Sequence, residues 1–174
     1  MKKLLLLLIL ASGFLHSQDR EFSITKEKGF TDYIVVEMNG KTASELYGKT
    51  LEWINRVYKN PEKVILGQIE NEYIRFQGSS KELYTLQALG SRNPLLTRYQ
   101  IEISFKDGKY KFDVTNMEYL HQAVWYPVPT DDSLYNKKGE LKSMFKHIHE
   151  IPAYFNSTNK SLSDYISGGT NDDW

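Results

Sequence analysis

The sequence has no cysteine, only five prolines, and no excess of either charge across its 174 residues. Without cysteine there are no disulfides, no thiolate nucleophile, and no cysteine-bound zinc or iron–sulfur cluster. Basic and acidic side chains number 22 each, so the many phosphate-neutralising cations behind sequence-independent nucleic-acid affinity have no surplus to draw on. Several catalytic and ligand-binding signatures are also missing. There is no G-x-S-x-G elbow, no H-E-x-x-H, no phosphate-cradling glycine loop and no calcium loop. Long apolar runs are absent too, except one at the very start.

That run covers residues 4–10 and extends weakly through Leu15, behind the positive Met1-Lys2-Lys3. About a dozen apolar residues fall short of the roughly 20 needed to cross a hydrocarbon core. Small residues follow, and polarity begins abruptly at Gln18-Asp19-Arg20-Glu21. This is the three-part pattern of a secretory signal peptide over residues 1–17, with cleavage expected between Ser17 and Gln18. A lipid anchor would require a cysteine just after the run. The expectation is therefore a soluble exported protein, periplasmic or extracellular, that does not span the membrane. Its mature chain of 157 residues would carry 20 basic against 22 acidic side chains. A chain of that length buries roughly two thirds of its unfolded surface and needs no staple to fold.

Residues 18–29 are polar and mixed in charge and read as a loosely held lead-in to a single domain over 18–174. Tyr33, Ile34, Val35, Val36 and Met38 suggest a strand, closed by Asn39-Gly40. Thr42 with Glu45 three residues on forms a capping box. Behind it, Leu46, Thr50, Trp53, Ile54 and Val57 share one helical face, widened by Tyr47, Leu51 and Tyr58. Asn60-Pro61 ends that helix. Residues 64–69 and 73–77 read as two short strands, with Gly78-Ser79-Ser80 and residues 90–94 as loop punctuation. The strongest local pattern follows. Tyr99, Ile101, Ile103 and Phe105 alternate with polar residues, as do Tyr110, Phe112 and Val114 after Asp107-Gly108. A two-residue turn there, with positive φ at both central positions, pairs Phe105 with Tyr110, Ile103 with Phe112 and Ile101 with Val114. Residues 120–140 read as an irregular loop, because Pro127 and Pro129 bar a central strand or helix interior. Leu141, Phe145 and Ile148 suggest a short helix. Pro152 opens a last one carrying Tyr154, Phe155, Leu162, Tyr165 and Ile166, which Gly168-Gly169 ends.

The order β-α-β-β-β-β-α, with one-sided strands and amphipathic helices, predicts a two-layer α+β domain. It would have an antiparallel sheet of about five strands and both helices on its apolar face. The capped helix through Leu51-Glu52-Trp53-Ile54, the run Asn60-Pro61-Glu62-Lys63-Val64-Ile65 and the turn Lys106-Asp107-Gly108-Lys109-Tyr110-Lys111-Phe112 resemble a family of exported bacterial proteins. That family is a domain of unknown function with a TATA-binding-protein-like fold. The resemblance spans about residues 30–167 and implies the fold but no catalytic residue. The chain departs from it over 120–149.

Candidate chemistry is sparse. The open sheet face presents Gln100, Glu102, Ser104, Lys106, Lys109, Lys111, Asp113 and Thr115, weakly basic and without apolar wedges, so no nucleic-acid partner is expected. Glu102 opposite Asp113 is a like-charge pair, with Lys111 placed to compensate it. His147 and His149 would share a face on a strand but diverge by about 200° on a helix. The helical pattern around them argues against a metal site. Asp131-Asp132 reads as solvated turn residues. No cofactor is implied. The one feature with functional colour is aromatic: Tyr119, Trp125 and Tyr126 around a proline-bearing loop could bind a peptide, a glycan or an envelope protein. Core or loop-anchoring roles compete for the same residues. The sequence thus favours a non-enzymatic binding or assembly module, using the open face, an unpaired strand edge or the 119–132 loop. The alternative is a small secreted hydrolase or ligand-modifying enzyme sited near that loop. Intact-mass measurement on the exported protein is expected to give a chain beginning at Gln18; retention of Met1 would refute the leader assignment.

Overall fold

The computed structural model describes residues 21–168. In chain order the elements are β1 (Ile24–Thr25), β2 (Gly29–Phe30), β3 (Tyr33–Glu37), α1 (Ala43–Val57), α2 (Pro61–Val64), β4 (Ile65–Ile69), β5 (Tyr73–Ala88), β6 (Ser91–Lys106), β7 (Lys109–His121), β8 (Val124–Pro127) and α3 (Glu150–Ile166). Two short 3-10 turns, Asp132–Leu134 and Ser143–Phe145, lie between β8 and α3. The result is a two-layer α+β structure.

β3 to β8 form one antiparallel six-stranded sheet in the order β3-β7-β6-β5-β4, with β8 also pairing β7. β3 covers Lys109–Asp113 of β7, while β8 covers Glu118–His121. The two short strands thus share one edge, and the sheet is five strands wide. The expected β6–β7 register is present, with Phe105 opposite Tyr110, Ile103 opposite Phe112 and Ile101 opposite Val114. A bulge between Gln100 and Ile101 leaves Thr115 without a partner and sets Gln100 opposite Asn116. Only Gly108 of the turn takes positive φ; Asp107 does not. Its carboxylate instead accepts the Ala43 amide at 2.8 Å, so the turn also caps α1. The Thr42–Glu45 capping box closes the same end.

Helices α1 and α3 lie on the inner face. Leu46, Trp53 and Ile54 of α1, with Ile151, Phe155, Leu162 and Ile166 of α3, bury against Ile74, Phe76, Ile101, Ile103, Tyr110 and Phe112. Polar contacts tie the two helices to each other and to the sheet. Trp53 donates its indole N–H to Ser161 at 3.1 Å, and Tyr110 donates its hydroxyl to Asn159 at 2.8 Å.

Several elements differ from the sequence expectation. Gly78-Ser79-Ser80 and Ser91–Pro94 are strand, so β5 and β6 form a hairpin of 16 residues a side. Beyond Thr97, β6 has no β7 partner, and an edge there tolerates Pro94. The stretch from 120 begins as strand, turning at Gln122-Ala123 into the edge strand β8. Around Leu141, Phe145 and Ile148 there is a 3-10 turn in place of a helix; Phe145 and Ile148 are buried and Leu141 is exposed. Val57, assigned to the buried helix face, is 50% exposed.

The lead-in is no loose segment within the described residues. Phe22 is buried, stacked on Phe30 at 5.2 Å and edge-on to Phe112 at 5.5 Å. Asn156 of α3 clamps its backbone, accepting from the Phe22 amide at 2.7 Å and donating to its carbonyl at 3.0 Å. The leader assignment itself lies outside the described residues. If Phe22 belongs to the core, Phe22→Ala should destabilise the protein by about 3–5 kcal/mol in urea unfolding. A loss near zero would return this segment to the status of a tail.

Candidate functional site

A cleft of about 730 Å³ opens where the C-terminal end of α1, the outward side of α3 and the middle of β5 meet. Local sequence explains each wall. Tyr58 caps the C-terminus of α1 in extended backbone, its amide still bonded to the Ile54 carbonyl, and Asn60-Pro61 keeps the helix from continuing. Its ring packs edge-on against Phe76 at 5.6 Å and Trp53 at 6.1 Å. On α3, Tyr154, Ser157, Thr158 and Ser161 fall at offsets 0, 3, 4 and 7, which places all four on one helical face toward the cleft. Gln77, Gly78 and Ser79 of β5 complete the wall, with Lys59, Lys63 and Glu82 also lining it.

The floor is Tyr99. Its hydroxyl shares hydrogens with Tyr58 at 3.2 Å and Tyr154 at 2.9 Å, joining α1, β6 and α3 through one oxygen. Gly78 is its cross-strand partner. A Cβ at Gly78 would stand 2.3 Å from the Tyr99 ring, so only glycine lets the ring lie over β5. Burial pushes the Tyr58 phenol up to about 12, against an opposing pull from the Tyr99 hydroxyl. Burial, then the two neighbouring phenols, drives Tyr99 higher still. Both stay protonated across the physiological range. They are hydrogen-bonding groups there, not bases or nucleophiles.

The predicted aromatic trio is divided by the sheet. Tyr119 and Tyr126 are cross-strand partners on the inner face, their rings 5.7 Å apart, and Tyr119 also contacts buried Tyr84 at 5.3 Å. Tyr126 is the exposed member. Trp125, one residue along β8, points to the open face, where the Arg98 guanidinium lies 4.3 Å over its ring. Arg98 in turn binds Glu118 at 2.8 Å and holds that carboxyl below the usual carboxylate range. The structure therefore places Trp125 apart from the tyrosine pair.

On the open face, Glu102 and Asp113 are opposite each other. Each has its own cation: Arg75 for Glu102 at 2.7 Å, Lys111 for Asp113 at 3.0 Å. His147 bonds Gln87 through Nε2 at 2.9 Å and lies 3.6 Å from Glu150, which also pairs with Arg92. His149 stands 6.3 Å away, ring to ring. Among the described residues, no group of three or more His, Asp or Glu side chains converges as a metal site, and no helix is long and apolar enough to cross a membrane.

The cleft itself escaped the sequence reading. Its one signal was the hydroxyl run Ser157, Thr158 and Ser161 at helical spacing from Tyr154. Gly78→Ala tests its floor: Tyr99 is buried and tied at its hydroxyl, so the ring cannot yield freely. A loss of about 1–3 kcal/mol in denaturant midpoint analysis is expected, the range for overpacking a filled core.

Two solved structures share this architecture. A DUF4468 family protein from Bacteroides ovatus superposes with a TM-score of 0.65 at 15% identity, covering 87% of this chain and 93% of that one. A TBP-like protein from Parabacteroides distasonis gives a TM-score of 0.55 at 12% identity, covering 78% and 90%. At such identities the likeness establishes the fold alone. Comparison with curated proteins gives no match. The family model described as a domain of unknown function (DUF4468) with TBP-like fold matches residues 33–120, half of the chain, and the protein belongs to that family.

Proposed function

We propose that this protein is an exported, non-enzymatic binding or assembly module of the bacterial envelope, and that it receives its ligand or partner in the cleft over Tyr99. The observation that carries this reading is the chemistry of the cleft floor: three tyrosine hydroxyls joined in a chain, two of them driven away from ionisation by burial and all three braced by the core. Such a floor recognises shape and hydrogen bonds. General acid–base work near neutrality needs a group poised to titrate there. The leader-like N-terminus supports export. The kinds of partner that suit an aromatic, hydroxyl-rich surface outside the cytoplasm are a peptide, a glycan or another envelope protein.

Tyr119, Trp125 and Tyr126 are the competing site. Tyr126 offers an exposed ring at the sheet edge, whereas Trp125 is already covered by Arg98. Immobilised mature protein should retain an envelope component in pull-down experiments. Ser157→Trp, which fills the cleft from an exposed helix position, should abolish that retention, while Trp125→Ala and Tyr126→Ala should not. The reverse pattern would move the site to the 119–126 hairpin. Turnover of an ester or glycoside substrate that Ser157→Trp eliminates would replace the binding reading with an enzymatic one.

A further inference from the structure

We infer that the cleft over Tyr99 takes a short, neutral oligosaccharide; this rests on the cleft being the binding site. Three phenols carry three O–H donors, and the two bonds that link them use two. One hydrogen and several lone pairs remain for whatever occupies the cleft. Ser161 accepts the Trp53 indole hydrogen and keeps its own O–H to offer, and Ser157 is exposed beside it.

Tyr58, Tyr154, Ser157 and Ser161 in the lining each both donate and accept. Sugar hydroxyls have the same double character, so each contact can be satisfied in either direction. The aromatic rings of Tyr58 and Tyr154, both half-buried, supply the apolar partner that the C–H faces of a pyranose require.

Lys59, Lys63 and Glu82 are the charged residues of the lining, which holds no arginine to grip a phosphate or carboxylate bidentately. The volume, about 730 Å³, falls in the middle of the roughly 300–1,000 Å³ typical of ligand pockets.

The test is calorimetric titration of the mature protein with cellotriose, maltotriose, mannotriose and triacetylchitotriose. A proline-rich peptide and inorganic sulfate serve as chemically different probes, and amide NMR shifts locate the site. At least one trisaccharide should bind, with shifts at Gly78 and Ser157. Tyr58→Phe and Tyr154→Phe should each weaken it about five- to tenfold, the worth of one hydrogen bond. Trp125→Ala should leave it unchanged. If either phenylalanine variant is unstable, Ser157→Trp blocks the cleft from the surface and should abolish binding. Absence of binding by every trisaccharide overturns the inference, as does binding that shifts other residues or ignores these substitutions. Should the peptide or sulfate bind at Gly78 and Ser157 instead, the saccharide inference falls while the cleft remains the binding site. Should no probe bind and Ser157→Trp leave envelope capture intact, both readings fall together.

Discussion

The inward apolar row of the β6–β7 hairpin holds the architecture together. Ile101, Ile103, Tyr110 and Phe112 are fully buried, and every other element is placed by how it covers or extends that row. α1 and α3 pack over it, β5 continues it sideways through Ile74 and Phe76, and β3 adds Ile34 opposite Phe112. Burial of large side chains such as these contributes roughly 1.5–3 kcal/mol each, the dominant favourable term in a domain of this size. Because side chains alternate along a strand, a one-residue slip would expose the whole row, so the register is strongly specified. The turn adds a local lock: Asp107 caps α1, and the Gly108 amide donates to the Lys41 carbonyl at 2.8 Å.

The cleft is a consequence of the same packing. Where Gly78 faces Tyr99, the inner row loses a side chain and an aromatic ring fills the space, leaving its hydroxyl at the junction of two helices and the sheet. Tyr58 and Tyr154 satisfy that oxygen from either side. The arrangement solves a stability problem, since a buried phenol without a partner is costly. It also leaves hydrogen-bonding capacity directed outward. One cluster thus braces the layers and, in the function proposed for it, furnishes the recognition surface.

Much of the fold was legible locally. The capping box at Thr42 and Glu45, the Asp107-Gly108 turn and the alternation around them are short-range signals whose physics lies within a few residues. Where those signals were missing, the reading failed. The β7–β8 turn places Gln122 and Ala123 at positive φ, positions that usually advertise themselves with glycine or asparagine. Gly78-Ser79-Ser80 looks like a loop because its strand character comes from backbone pairing with Arg98, Thr97 and Tyr99, which no local pattern reveals. Phe22 is a lone aromatic in polar text; its burial depends on Phe30 and on Phe112, Phe155 and the Asn156 clamp, the last three distant in sequence.

The sequence alone determined the class, because hydrophobic period and turn chemistry are properties of neighbouring residues. It also determined the inner face of the central hairpin, the two covering helices, and the lack of cysteine chemistry or a later apolar run long enough to cross a membrane. Tertiary structure decided which aromatics meet. Tyr119 and Tyr126 stack while Trp125, adjacent in sequence, turns to the opposite face, since successive strand residues alternate. Tyr58, Tyr99 and Tyr154, separated by 41 and 55 residues, share hydroxyls. Convergence of that kind is set by how layers pack, and nothing in residue spacing encodes it.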